Sequence, residues 1–168
     1  MISTILYTSE TGSCKRYAED LSAALHIPAH PMGKGYVPAG TQIIYIGWLS
    51  NGKITGYKKA ADKYDVAAVV QVGMSAPNAK SEATGRKKNG IGEGTALFTR
   101  QGAFNINKLP FVYKKVMELV NKKIAAGLEK KTDLSDGDKA TLKMAQTGEG
   151  QPASWDVSDI VAWAKDKV

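Results

Sequence analysis

The stretch ILYTSETGSCKRYAEDL, Ile5 to Leu21, decides how the rest of the chain is read. It begins as an apolar strand, turns through hydroxyl residues around Gly12, and becomes an amphipathic segment from Ser13 to Leu25. Tyr17, Leu21, Ala24 and Leu25 share one face of that segment. A strand feeding a helix through so short a turn is the opening of a βαβ unit. The first helical turn leaves backbone N–H groups without partners, and its dipole favours an anion there. Gly12 removes the Cβ that would hinder close approach, while Ser9, Thr11 and Ser13 add hydroxyl groups. On these residues alone two readings stand: a phosphate cradle, or a capped turn between strand and helix.

Outward from this unit, strand-like and helix-like segments alternate, the signature of a parallel α/β sheet. Strands are expected at Ser3 to Thr8, Thr41 to Gly47, Val66 to Gly73 and Thr95 to Gly102. His26 to Met32, with two prolines, suits only an edge strand. A helix is expected near Gly56 to Lys63. The first strand must lie inside the sheet, because it and Thr41 to Gly47 are apolar throughout. Several strand orders satisfy that condition. In open α/β sheets ligands bind at the carboxyl ends of the strands, where the order reverses. The loops there are Ser9 to Cys14, Trp48 to Ile54, Gly73 to Asn78 and Gln101 to Asn107.

The last third of the chain reads as helical. Leu109, Val112, Val116, Met117, Val120 and Ile124 form an apolar stripe, with Gly127 where a C-terminal cap belongs. Ser135, with Asp138 three residues on, marks a second helix start, and Gly148 its stop. A final helix is expected from about Ser158 to Lys167.

With 168 residues the chain is expected to form one domain, 1–168. It has no run of about eighteen apolar residues, hence no integral membrane segment is expected. The start of the chain lacks the basic and apolar regions of a signal peptide, and Cys14 is the single cysteine. These features predict a soluble protein of the reducing cytoplasm. The net charge of +7 is scattered as lysine pairs, with its densest cluster at Gly85 to Gly90. No basic tract carries interleaved aromatics, so no nucleic-acid partner is expected. A general positive field attracting anionic ligands or acidic partners is compatible with the same charge.

Other motifs fail on their spacing. Numbered from Asp133 as a calcium loop, the glycine position holds Asp138 and the final glutamate position Met144. His26 and His30 share a helical spacing, but prolines interrupt their segment, so no zinc pair is expected. Gly90 to Gly94 lacks the strand and helix of a dinucleotide fingerprint. Two histidines, both near one end, suggest no Ser-His-Asp order.

Strand, then S-x-T-G-x, then helix at the start of the chain resembles the phosphate loop of the flavodoxin family. GWLSNGKITGYKKA, VGMSAPNAKS and RQGAFNINKLPF resemble the later loops of small bacterial flavodoxin-domain proteins and of flavodoxin-like protoporphyrinogen oxidases. The resemblance spans Ile5 to about Trp163. It implies a flavodoxin-like three-layer α/β sandwich with a five-stranded parallel sheet in the order 2-1-3-4-5, and FMN as cofactor. Ser9, Glu10, Thr11, Gly12, Ser13 and Cys14 would surround the FMN phosphate, with Cys14 standing where the family usually has a hydroxyl. In the second loop, Trp48, Leu49, Ser50, Asn51 and Gly52, the implied role of Trp48 is stacking on the flavin ring. Its alternative is that of an ordinary aromatic at a strand end. The Asn51–Gly52 peptide would face the ring nitrogen that gains a proton. Gly73, Met74, Ser75, Ala76 and Pro77 would offer backbone donors to the pyrimidine edge.

Function implied by the resemblance is FMN-dependent electron transfer with a redox partner protein. The alternatives are a small flavoenzyme acting on a quinone or tetrapyrrole substrate, or a binding module that has lost FMN. Arg100, Lys53 and Lys108 are the expected contacts for a tetrapyrrole's carboxylates. Typical electron-carrying flavodoxins are acidic, whereas this chain is basic. One positive charge ~10 Å from the reduced flavin, at an effective dielectric of ~40, contributes about 0.8 kcal/mol, or roughly 35 mV. Lysines near the site therefore predict a less negative reduction potential.

Overall fold

A computed structural model describes residues 1–109 and 111–168; Pro110, within the LPF stretch, lies outside the described residues. Five strands pair in parallel: β1 (Thr4–Thr8), β2 (Ala29–Pro31), β3 (Gln42–Ser50), β5 (Asp65–Gly73) and β6 (Ala96–Gln101). Their order, β2-β1-β3-β5-β6, is 2-1-3-4-5 when the parallel strands are counted along the chain. This is the doubly wound, flavodoxin-like order. Apolar β1 lies inside the sheet, and the proline-containing β2 forms its edge, where a missing N–H does least harm.

Alternation along the strands divides the core into two layers. On one face, α1 (Ser13–Leu25) and α6 (Ser158–Ala164) bury Tyr17, Leu21 and Ile160 against Ile5, Ile44, Ile46, Val70 and Val72. On the other, α2 (Tyr57–Lys63) buries Tyr57 and Ala60 with Leu6, Ile43, Tyr45 and Val69. Each fully buried large apolar side chain stabilises the fold by about 1.5–3 kcal/mol. Helices on both faces of the sheet complete a three-layer sandwich.

The second helix on that other face, α3 (Ala79–Asn89), carries no amphipathic signal in its sequence. Its buried residue is Gly85, whose missing side chain makes room for the carboxamide of fully buried Gln71 on β5. A helix that packs through a glycine has no apolar stripe to read. Its start is nevertheless written locally: Asn78 and Ser81 form a reciprocal capping box.

Two further departures concern the sheet. Beyond Gly47, the expected end of its strand, β3 continues to Ser50 and folds back as β4 (Lys53–Ile54), an antiparallel sixth strand. Asn51 and Gly52 both have positive φ, 51° and 78°, the two-residue hairpin turn for which Asn-Gly is the favoured pair. The expected second loop is therefore a hairpin.

Between β6 and α6 the chain inserts a pair of helices, α4 (Phe111–Glu129) and α5 (Asp136–Thr147). A short antiparallel ribbon of β7 (Phe104–Asn105) and β8 (Glu149–Gly150) closes its base, with one 3-10 turn at Ile106–Lys108. Ser135 and Asp138 cap α5 reciprocally, and Gly148 ends it with φ 77°. Gly127 does not end α4, which runs two residues further to Glu129. Leu109 precedes the helix, and α6 stops at Ala164, short of Lys167. The apolar stripe of α4 also divides: Met117 and Ile124 are half-buried, while Val112, Val116 and Val120 face solvent.

Candidate functional site

At the carboxyl end of β1 the turn expected from the sequence is formed by Ser9 to Gly12. Gly12 has φ 101°, and a Cβ built there would meet no atom within 4 Å. The space over the turn is open, and the backbone there is one that side-chain-bearing residues adopt only under strain. Gly12 N–H donates to Ser9 Oγ at 3.2 Å, which holds the turn's shape. Helix α1 starts with no side-chain cap and no acidic residue in its first turn. Its leading N–H groups thus remain available to an outside acceptor. Thr11 and Glu10 are exposed, whereas Ser13 is buried and accepts a hydrogen bond from Ala103 N–H at 3.0 Å.

The inserted helices turn this opening into a cavity of about 850 Å³. Thr11, Gly12 and Ser13 line one side, Phe104 and Asn105 another, and α5 forms a third. Four cations border it, Arg16, Lys108, Lys139 and Lys143, against the single carboxylate of Glu149. The Arg16 guanidinium lies 4.2 Å from the ring centroid of Trp155, which also lines the cavity. Lys139 reaches Asp136 at 3.3 Å, but Lys108 and Lys143 have no ion pair among the described residues. Such a cavity concentrates positive potential and suits an anionic ligand.

Of these cations, only Lys108 was expected from the sequence. Arg16 stands one helical turn beyond Gly12 and was legible by spacing. Lys139 and Lys143 share a face of α5, yet nothing local shows that this face meets the β1–α1 turn.

The third loop is tied to the insertion by Gln101. Its side-chain amide donates to Met74 O at 3.0 Å, Gly137 O at 3.1 Å and Thr141 Oγ1 at 2.8 Å. Its Oε1 accepts from Ala153 N–H at 3.2 Å. Gly73 O accepts from Gly102 N–H at 2.7 Å, while Ala76 and Pro77 line a separate cavity of about 370 Å³ with Arg100, Gly137 and Asp159. Ser75 is exposed beside them. Arg100, expected near a ligand, instead pairs with Asp159 and donates to Asp156 O at 2.9 Å, and its side chain is only 15% exposed. Those bonds fasten α6 to the sheet, so Arg100 is a structural clasp.

In the second segment Trp48 is half-buried against the core layer of α1, in register with Val72. Its buried indole nitrogen has no hydrogen-bond partner among the described residues. Leu49 packs against the opposite layer and Ser50 is exposed. The carbonyl of Asn51 accepts from Lys88 Nζ at 3.2 Å, and that of Gly52 from Asn89 Nδ2 at 3.0 Å. Any reorientation of the Asn51–Gly52 peptide requires Lys88 to release it. Lys53 lies on the exposed side of this hairpin.

Cys14 is 1% exposed, and burial pushes its thiol from 9.0 up to about 12. Only the backbone of Cys14 faces the turn in any chemical sense; the side chain fills the core. Burial likewise raises Tyr17 and Tyr45 to about 12. Tyr17 donates to Gln101 O at 2.7 Å, and Tyr45 to Thr55 O at 2.7 Å while meeting Thr8 Oγ1 at the same distance. Both tyrosines are positioning groups under the loops.

A further cavity of about 730 Å³, bounded by Met1, Gln42, Asp65, Gly94 and Asp166, opens at the amino-terminal ends of the strands. That is the end at which sheets of this class do not bind their ligands. Among the described residues no cluster of His, Cys, Asp or Glu could hold a metal ion, and no helix is long and apolar enough to cross a membrane. No protein-family model, curated protein or solved structure gives a match to this chain. The fold and the site are thus the basis for function.

A phosphate-bearing cofactor fits the β1–α1 turn: the space a Cβ would take at Gly12 is empty, and the uncapped helix faces a basic cavity. The unpartnered indole N–H of Trp48, close to the same ends of the strands, is compatible with an acceptor supplied by a ligand.

Proposed function

We propose that the protein is an FMN-binding, flavodoxin-like redox protein acting in electron transfer with a redox partner protein. The observation that carries this reading is the uncapped start of α1 at Gly12, placed between β1 and β3 and bordered by Arg16, Lys108, Lys139 and Lys143. The backbone N–H groups of Thr11, Ser13 and Cys14 would hold the phosphate, and the four cations would offset its charge. Trp48 and the segment Gly73 to Pro77 would border the ring. Bound FMN would supply reversible acceptance and return of electrons, chemistry that no side chain of the protein offers. The protein's part is to bind, to orient, and to keep the buried Tyr17 and Tyr45 protonated beneath the loops.

The test is a fluorescence titration of the folded, flavin-free protein with FMN and with riboflavin. FMN should bind at least tenfold more tightly, because the phosphate carries the recognition. Equal affinity, or no binding of either, refutes the proposal.

The cavity itself favours a second reading. With 850 Å³ and four cations it has room and charge for an anionic conjugated substrate beside the cofactor. In that case the protein is a small flavoenzyme of tetrapyrrole oxidation-reduction, the cations meeting the substrate's carboxylates; a neutral quinone would gain nothing from them. Steady-state turnover without a second protein distinguishes it from a carrier.

A further inference from the structure

Helix α4 is apolar on the side that faces solvent as well as on the side that packs inward. Phe111, Val112, Tyr113, Val116 and Leu119 are between 54% and 72% exposed, and Val120 is 37% exposed. Positions 112, 116, 119 and 120 recur at the spacing that places them on one side of the helix. The other side packs inward through half-buried Met117, Ile124 and Leu128 around buried Asn121, whose Oδ1 has no partner among the described residues. Ordinary amphipathic helices of a folded domain are apolar inward and polar outward, so the second, outward apolar side of α4 is the departure. The other helices of this protein obey that rule or, in α3, pack through glycine.

The six exposed side chains together present on the order of 700 Å² of mostly apolar surface, above the roughly 300–600 Å² of the largest patch on typical monomers. Charge identifies the occupant. Within α4 the sequence holds four lysines, Lys114, Lys115, Lys122 and Lys123, against two glutamates, and Lys130 follows at its end. Lys115 lies over Phe111, with its Nζ 5.0 Å from the ring centroid, and Lys122 and Lys123 continue the same exposed surface. A second copy of the helix seated on this face would oppose two lysine-rich surfaces, which repel. An anionic lipid surface supplies both complements at once: acyl chains for the apolar face and headgroup phosphates for the lysines.

We propose that α4 is an interfacial helix by which the protein docks peripherally on anionic membranes. The apolar face enters the headgroup boundary, while the lysine stems spread along it and keep their ammonium groups among the phosphates. Docking rests on α4 alone and is independent of what the cavity binds. The helix lies in the plane of the surface and does not span it, in keeping with its lysine content.

Co-sedimentation tests this with vesicles of equal parts phosphatidylglycerol and phosphatidylcholine, and with phosphatidylcholine alone. The wild-type protein should partition at least tenfold more strongly to the anionic vesicles, and salt should weaken that binding. Val116→Asp combined with Leu119→Asp changes only exposed positions, and should lower partitioning at least tenfold with the circular dichroism spectrum unchanged. Lys115→Glu with Lys122→Glu should do the same. Three results overturn the proposal. The folded monomer fails to bind anionic vesicles, which leaves the face to a soluble acidic partner. Light scattering shows a dimer that the aspartate pair dissociates, without vesicle binding. Or the aspartate pair binds vesicles as well as wild type, which reduces the effect to surface charge.

Discussion

Replacing Gln101 by leucine tests whether the insertion and the sheet form one cooperative site. The carboxamide is 4% exposed and joins three pieces of chain that local sequence does not connect: Met74 after β5, Gly137 and Thr141 on α5, and Ala153 before α6. Its two N–H hydrogens and one oxygen make up to three net hydrogen bonds, each worth about 0.5–1.5 kcal/mol. Leucine keeps the volume but leaves buried partners unpaired, at about 1–3 kcal/mol for each one that water cannot reach. Thr141 can still donate to Gly137 O at 2.9 Å, which limits that loss. The added apolar burial returns about 1 kcal/mol. The expected net destabilisation is about 2–4 kcal/mol, a fall in Tm of roughly 5–15 °C for a domain of this size. Urea denaturation followed by far-ultraviolet circular dichroism measures it. A midpoint unchanged within error, at unchanged slope, would refute the account of Gln101 as the tie between the third loop and α5.

Other consequences are equally open to measurement. Gly85→Ala should destabilise by about 1–3 kcal/mol, because its Cβ enters the Gln71 carboxamide. In a Gln71→Ala background the same change should stabilise by up to about 1 kcal/mol through helix propensity. Absence of that sign reversal in thermal melts would show that the two do not touch. Arg16→Ala or Lys143→Ala should each weaken FMN roughly fourfold in isothermal titration, from about 0.8 kcal/mol of screened attraction to a phosphate; an unchanged Kd would place the anion elsewhere. The thiol of Cys14 should resist alkylation in the folded protein and react readily in urea; rapid labelling of the native state would contradict its burial. Stability should be fully present below pH 9 and fall as pH rises from 9 to about 12. The buried Cys14, Tyr17 and Tyr45 hold their protons in the folded state after the unfolded chain, with ordinary values of 9.0 and 10.0, has lost them. Stability rising with pH across that window would reverse the assignment.

Period and punctuation were sufficient for most of the architecture. Ile5 to Leu21 reads as strand, turn and helix because every relevant force there is local: apolar continuity, the φ freedom of Gly12, and the helical spacing of Tyr17, Leu21 and Leu25. The apolar runs at β3 and β5 place those strands at the sheet centre for the same reason, and the prolines beside β2 send it to the edge. The capping pair Ser135 and Asp138 and the stop at Gly148 were likewise written within a few residues of where they act.

The remaining features depend on residues far apart in sequence. α3 was silent because its contact is a glycine against Gln71, a partner on another strand. The basic cavity exists because Lys139 and Lys143 of α5 are carried to Gly12 by a clasp at Gln101, and no local pattern encodes that distance. The stripe of α4 was visible as helical spacing, but spacing cannot say which side faces protein. Burial of Asn121 and exposure of Leu119 were settled by where α5 packs. At Cys14 local sequence showed a position at a helix start, and the fold points its side chain into the core, where desolvation outweighs the backbone hydrogen bond that would lower the thiol.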